Sequence, residues 1–343
     1  MFTSSPLVGI IANPASGRDI RRLVAHGTVF DNNEKAAIVR RVLLGLDAVG
    51  IRRVAYMPEH DFGIVPRAIS ELQRNALQLT AEPLSMPVLG TSADSTRAAR
   101  LLMEQGAGCI ITLGGDGTNR AVASSCGAVP LLPISTGTNN VFPTFLEGTI
   151  AGMAAGLVAS GLRDEHTTQR SARLEVCIDG VASDSALVDV VISSLPFIGS
   201  RALWDIAVVR EVVLARVAPA TIGFSAIGGA LLNASSVESK SAGMHIVLGA
   251  DGEQVLVPLA PGLIKWVGIN THRVLALGDS VHCQPGIGTV ALDGEREIEL
   301  AATSDVEIRF CADGPYVVDV AATLAAAAYV GRLHQKADNS KSL

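Results

Sequence analysis

The sequence predicts an α/β amino-terminal domain built on a parallel sheet, followed by a β-rich carboxyl-terminal domain. Three observations carry this expectation. Residues 1–145 alternate short apolar runs with stretches of helical period, as parallel βαβ units do. Past residue 161 short strand-like runs separated by turn residues take over, the pattern of antiparallel sheets. Two polar, glycine-rich loops each follow an apolar run, at the point where open α/β sheets bind ligands.

In order, Leu7–Ala12 reads as a buried strand, and Asn13-Pro14-Ala15-Ser16-Gly17 as a loop rich in turn residues. Glu34–Ala48 has helical period and ends at Gly50. Arg53–Met57 and Pro87–Leu89 are strand candidates, and Asp94–Gln105 reads as a helix. Cys109–Thr112 and Val129–Ile134 lead into the two glycine loops. A helix over Phe145–Gly161 is expected to link the domains, which places them at 1–145 and 146–319. Gly148, Gly152 and Gly156 recur every four residues on that helix, a spacing that suits close helix packing. Strands follow at Leu174–Ile178, Ala186–Ile192, Met244–Leu248, Val255–Val257, Lys265–Ile269, Thr289–Leu292, Glu297–Ala301 and Val306–Phe310. Val320–Leu333 reads as a terminal helix.

Composition narrows the function. At 343 residues the chain has room for two cores. A net charge of −6 without a basic run argues against nucleic acid as a partner. The start lacks the basic and apolar regions of a signal peptide, and the uncharged stretch Val217–Val237 is too poor in large apolar residues to span a bilayer. A cytoplasmic protein without a membrane partner is expected. The five cysteines show no paired spacing, and His282-Cys283 has no third ligand spaced for zinc, so no metal-ligand motif is read.

The sharpest signal is Gly114-Gly115-Asp116-Gly117-Thr118. Glycines at the carboxyl end of a strand leave backbone N–H groups bare for a phosphate. The aspartate stands where a magnesium ion or an attacking hydroxyl needs a carboxylate. Alone this run is also good turn chemistry; a second loop, Ser135-Thr136-Gly137-Thr138-Asn139-Asn140, tips the balance towards a phosphate site. A Walker A loop is excluded because no lysine follows a glycine, and a dinucleotide fingerprint because Arg120 occupies its third glycine position.

Taken together, Asn13-Pro14-x-x-Gly17, Gly114–Thr118, Gly137-Thr138-x-Asn140 and Asp293-Gly294-Glu295 resemble the superfamily that joins ATP-NAD kinases with diacylglycerol and sphingosine kinases. Within it the chain is most similar to the acetoin-catabolism protein X subgroup. The resemblance implies an NAD kinase-like α/β domain, a β-rich second domain, an active site in the cleft between them, and a terminal helix over 320–334 that returns to the first domain. It implies ATP or another polyphosphate donor, Mg2+, possible use of NAD as acceptor, and a dimer or tetramer. Asn13, Gly17, Gly114, Gly115, Gly117, Thr118, Asn119, Gly137, Thr138 and Asn139 would surround the donor, with Asn140 and Asp189 at the acceptor. Asp116 and Glu295 would be catalytic.

Two positions stay open. Ala186-Leu187-Val188-Asp189-Val190-Val191 matches a pattern that carries Asn-Glu in NAD kinases; Asp189 keeps the acid, but Val188 cannot supply the hydrogen bonds of an amide. That counts against NAD as acceptor, and Asp189 reads equally as the polar face of a half-exposed strand. Asp293-Gly294 alone reads as a tight hairpin turn. The expected function is an ATP-dependent kinase that phosphorylates a hydroxyl of a small-molecule or nucleotide acceptor, with a link to acetoin catabolism. The rival readings are a non-catalytic nucleotide- or NAD-binding accessory protein and a lipid kinase.

Overall fold

The computed structural model of the protein describes residues 5–16, 26, 30–60, 62–72, 77–137, 139–197, 205–232, 242–283 and 285–334, with the backbone alone for 296 and 297. The first half runs β1 (Leu7–Ala12), α1 (Asn32–Ala48), β2 (Arg53–Tyr56), α2 (Ile64–Leu72), β3 (Thr80–Pro83), α3 (Ser92–Glu104), β4 (Cys109–Gly114), α4 (Asp116–Ala123), β5 (Leu131–Ser135) and α5 (Gly148–Ala159). Strands β3-β2-β1-β4-β5 lie side by side in that order, all parallel.

Helices cover both faces of this sheet, which is why its central strands β1, β4 and β5 are buried along their whole length. Val8, Ile10 and Ala12 of β1 face α1, α2 and α5 through residues such as Leu43, Ala68 and Ala155. Leu7 and Ile11 face the opposite layer with Ala98 and Leu102 of α3 and Val122 of α4. Gly9 has no side chain because Leu102 fills its place: a Cβ there would lie 2.4 Å from Leu102 Cδ1.

The second half contains β6 (Thr168–Arg170), β7 (Arg173–Ile178), β8 (Val181–Ala186), β9 (Asp189–Ser193), β10 (Val209–Leu214), α6 (Phe224–Leu231), β11 (Gly243–Ala260), β12 (Leu263–Leu275), β13 (Ser280–Cys283), β14 (Gly288–Leu292), β15 (Glu295–Leu300), β16 (Val306–Cys311), β17 (Tyr316–Val318) and α7 (Val320–Tyr329). Among the described residues, one antiparallel sheet has the order β12-β11-β10-β9-β14-β15 and a second the order β13-β16-β7-β8. The two pack face to face over Leu174, Val190, Val213, Val290, Ile308 and Phe310. The far face of the larger sheet is covered by α6, through Ala226 and Ile227.

Several expectations change. The helix expected as a linker, α5, is part of the first layer: Ala151, Ala154 and Ala155 join the core beneath the parallel sheet. β17 adds to that sheet parallel to β5, and β6 pairs antiparallel with β17. The parallel-sheet half therefore includes α5, β6 and β17, the antiparallel sheets begin with β7, and α7 packs on α5 as expected. Pro87–Leu89 is not a strand, because the N–H groups of Leu89, Gly90 and Thr91 all donate to the Asp94 carboxylate and start α3. No helix among the described residues is long and apolar enough to cross a membrane.

Candidate active site

Because β1, β4 and β5 are adjacent and parallel, their carboxyl ends present three loops side by side. The first, Asn13–Ser16, is tied to the second by Asn13 Nδ2, which donates to Thr118 Oγ1 at 2.8 Å. It is tied to the third by the Ser16 and Thr136 hydroxyls, 2.9 Å apart. Thr136 N donates to Gly114 O at 3.4 Å. The glycines permit this crowding: a Cβ on Gly115 would lie 2.7 Å from Asn140 Oδ1, and one on Gly114 would lie 2.5 Å from Thr118 Cβ. Asn140 Nδ2 holds the third loop through Ser135 Oγ and Gly137 O.

Asp116 opens α4, where the first-turn N–H groups have no partner inside the helix. Its carboxylate accepts from Val141 N at 3.1 Å and Phe142 N at 2.8 Å, which pins the third loop against the second. Asp116 also lines a pocket between the two halves, together with Asn139, Val141, Asp189, Asp293 and Gly294. The far wall is apolar, formed by Ile206, Ile222, Phe224, Leu259 and Leu263.

The β14–β15 turn supplies the second rim. Asp293 and Gly294 both take positive φ, 51° and 82°, as a two-residue type I′ hairpin requires. The Asp293 side chain turns inward and accepts from Leu187 N at 3.0 Å, Val188 N at 2.8 Å and Asp189 N at 3.3 Å. Burial pushes its carboxyl up to about 7; Arg120 opposes the shift, Asp116 adds to it, and the backbone donors oppose it. Arg120 Nε stands 3.8 Å from Asp293 Oδ2, and its Nη1 donates to Asp184 at 2.8 Å. Arg216 is a second, half-buried cation, stacked 4.5 Å over Phe142. Burial lowers its pKa, while Asp116 and Asp293 work the other way. Glu295 reaches across to α4: a Cβ on Gly117 would lie 3.7 Å from its Oε1.

Of the residues expected at the site, the structure brings together Asn13, Gly114, Gly115, Asp116, Gly117, Thr118, Gly137, Asn139, Asn140, Asp189 and Glu295. Gly17 and Thr138 lie outside the described residues. The Asn119 side chain is fully buried, accepting from Thr112 Oγ1 and donating to Gly115 O, so it shapes the loop from beneath. Asp189 is buried and lines the pocket, which removes the half-exposed reading. Val188 packs with Phe142 and Leu187 in a small apolar cluster.

A family model for the ATP-NAD kinase N-terminal domain matches residues 8–161, and one for the acetoin catabolism protein X C-terminal domain matches residues 172–313. Acetoin catabolism protein X of Cupriavidus necator is 38% identical over 342 residues, covering 96% of this chain and 94% of its own. The chain belongs to the acetoin catabolism protein X family. Its α/β half is the part that the ATP-NAD kinase N-terminal domain model matches. Among solved structures, yeast NADH kinase complexed with NADH matches with a TM-score of 0.48 and 13% identity, covering 99% of this chain and 91% of the other. A diacylglycerol kinase from Bacillus anthracis matches with a TM-score of 0.44 and 14% identity, covering 92% and 97%.

In this member of the acetoin catabolism protein X family the sequence reading missed three cations. Lys35 of α1 is fully buried and donates to Asn13 O at 2.9 Å, Ser16 O at 2.7 Å and Asn32 Oδ1 at 3.1 Å. It fixes the carbonyls of the first loop and places positive charge beneath it. Arg120 and Arg216 offset the carboxylates of the pocket. Of the three, only Arg120 adjoins a motif.

Proposed function

We propose that this protein is a phosphotransferase that moves a phosphoryl group from a nucleoside triphosphate, ATP in the first instance, to the hydroxyl of a small acceptor. The observation that carries the reading is the meeting of three amide-rich loops at the ends of β1, β4 and β5, with Asp116 at their lip facing a pocket. The loops bind and orient the donor. The acceptor sits in the pocket, its apolar part against Ile222, Phe224 and Leu259 and its hydroxyl towards Asp116. As the acceptor oxygen bonds to the terminal phosphorus, the bond to the nucleoside diphosphate breaks and the hydroxyl proton passes to Asp116. Such catalysis rests on positioning and charge, which rigid loops supply.

The donor set also suits Mg2+. Asp116 and Asp189 are oxygen ligands facing one pocket, and buried Asn139 Oδ1 has no hydrogen-bond partner among the described residues. When bound, the ion would neutralise charge on the donor phosphates. Glu295, over the first turn of α4, is placed to receive a proton or hold a water at the donor's edge. Acceptors with a compact apolar part fit the pocket wall better than NAD, since position 188 offers only a buried valine. A cytoplasmic homo-oligomer acting on small molecules completes the reading.

A rival reading has its own support. Asp116 already serves a structural purpose through Val141 and Phe142, so an accessory protein that binds nucleotide without turnover would use the same contacts. Asp116→Asn separates the two when transfer from labelled ATP is screened against short diols, polyols, NAD and lipid alcohols. For a kinase, turnover falls about 10²–10⁴-fold while nucleotide affinity changes little. Nucleotide binding without transfer to any acceptor by the unaltered protein would instead establish the accessory role.

A further inference from the structure

A second cluster of reactive side chains lies at the rim of the core between the two antiparallel sheets. Glu211 on β10 and His245 on β11 are diagonal neighbours on one sheet face, since Glu211 pairs with Val247 and Val213 with His245. Cys283 ends β13 in the other sheet. Glu211 lies three residues along β10 from Leu214, the partner of pocket residue Asp189, or about 10 Å by strand rise. The cluster is therefore separate from the cleft.

His245 Nε2 lies 2.8 Å from Glu211 Oε2, and the Cys283 thiol donates to the same oxygen at 3.2 Å. The three atoms lie within 4.8 Å of one another. Cys283 is buried, whereas the side chains of His245 and Glu211 keep 18% and 22% exposure, so an ion and a water can reach them. Zinc bonds of about 2.3 Å to sulfur and about 2.0–2.1 Å to nitrogen and oxygen, at tetrahedral angles, separate such ligand atoms by about 3.3–3.6 Å. The 2.8 Å and 3.2 Å separations each open by about half an ångström to reach that geometry.

We propose that Glu211, His245 and Cys283 form a binding site for one Zn2+-type divalent cation, with water as the fourth ligand. Binding exchanges the thiol proton for the metal and releases it to solvent. His245 ligates through Nε2 as a neutral ring protonated at Nδ1. One thiolate and one carboxylate balance the charge of the ion, and the sulfur selects against Mg2+ and Ca2+. The ion ties β10 and β11 to β13, stapling the two sheets together. Spacing along the chain cannot show this, because the ligands come from three strands of two sheets.

The test uses the full-length protein, stripped with a chelator under reducing conditions and titrated with ZnCl2, then with CoCl2. The expected result is one tightly bound equivalent of zinc, a thiolate-to-cobalt charge-transfer band, and a rise in Tm of several degrees on metal binding. Cys283→Ser abolishes the band, and His245→Gln weakens binding at least tenfold. Cys311→Ser, which removes a cysteine outside the cluster, leaves both unchanged. Circular dichroism checks that each variant is folded, and His245→Gln, which leaves the buried thiol in place, decides the matter if Cys283→Ser is not. Absence of a stoichiometric site, or equal binding by Cys283→Ser and His245→Gln, overturns the proposal and leaves the cluster an ordinary ion pair.

Discussion

Asp293 shows how one residue serves both of the readings its motif allows. Its backbone makes the hairpin turn, and its side chain, turned inward, gathers three N–H groups at the start of β9. The cost is a buried carboxyl whose pKa rises from 3.8 to about 7. Below about pH 4 the group is protonated in both the folded and unfolded chain and costs nothing. Between about pH 4 and 7 the unfolded chain has lost a proton that the folded chain keeps, so this residue's contribution falls as pH rises. The loss is at most about 4 kcal/mol. Asp293→Asn keeps the shape without the charge, and its stability relative to the unaltered protein is expected to increase with pH across that window. Urea unfolding at several pH values from 4.5 to 7.5 measures this, and parallel stability curves would rule it out. Residue by residue, the site was legible where chemistry is contiguous: Gly114–Thr118 and Ser135–Asn140 declare themselves by glycine and hydroxyl content. Lys35 was not legible, because its targets are loop carbonyls 19 to 22 residues away and a lysine on a helix ordinarily faces water. Arg216 is likewise placed by tertiary packing, over a phenylalanine from another loop.

Among the elements, α1 and α5 show why the fold needs glycine at set places. A Cβ on Gly152 would lie 2.2 Å from Val42 O, and one on Gly45 would lie 2.2 Å from Thr149 O, so the two helices touch backbone to backbone. Gly152→Ala gains about 1 kcal/mol of helix propensity. Against that, the new methyl meets main chain that cannot rotate away, and overpacking costs about 1–3 kcal/mol. The upper end applies here, giving a net loss of about 2 kcal/mol, to be read from urea unfolding; unchanged or increased stability would show that the helices separate freely. Helical period found α1, α3 and α5, but the glycine spacing that marked α5 for close packing did not say which layer it would join. Strand period was weaker in the second half. β11 was read as two strands, Met244–Leu248 and Val255–Val257, whereas one strand continues through a register shift between Leu248 and Glu253. β8 was missed because Val181–Ala186 is mostly polar and exposed, without the alternation of a half-buried strand.

At the scale of the whole molecule, the β11–β12 hairpin carries an exposed apolar outer face. Leu256, Ile264 and Trp266 are 52%, 64% and 65% exposed, while Val255, Val257 and Val267 turn into the core. Leu256 stands opposite Trp266, and Ile264 lies two residues further along the same face. Among the described residues β12 pairs only with β11, so the apolar face ends at an open sheet edge, a surface that soluble proteins ordinarily guard with charge or cover. A second copy of the chain meeting it about a two-fold axis covers both copies' patches and both edges at once, since an isologous contact repeats each interaction. Trp266→Glu places two like charges at the centre of that contact and leaves the inward-facing valines untouched. Sedimentation velocity at tens of micromolar is then expected to show a dimer or tetramer for the unaltered protein and a smaller species for the variant, with Tm in dilute solution little changed. An unaltered protein that sediments as a monomer, or a variant of unchanged mass, would assign the patch to some other contact.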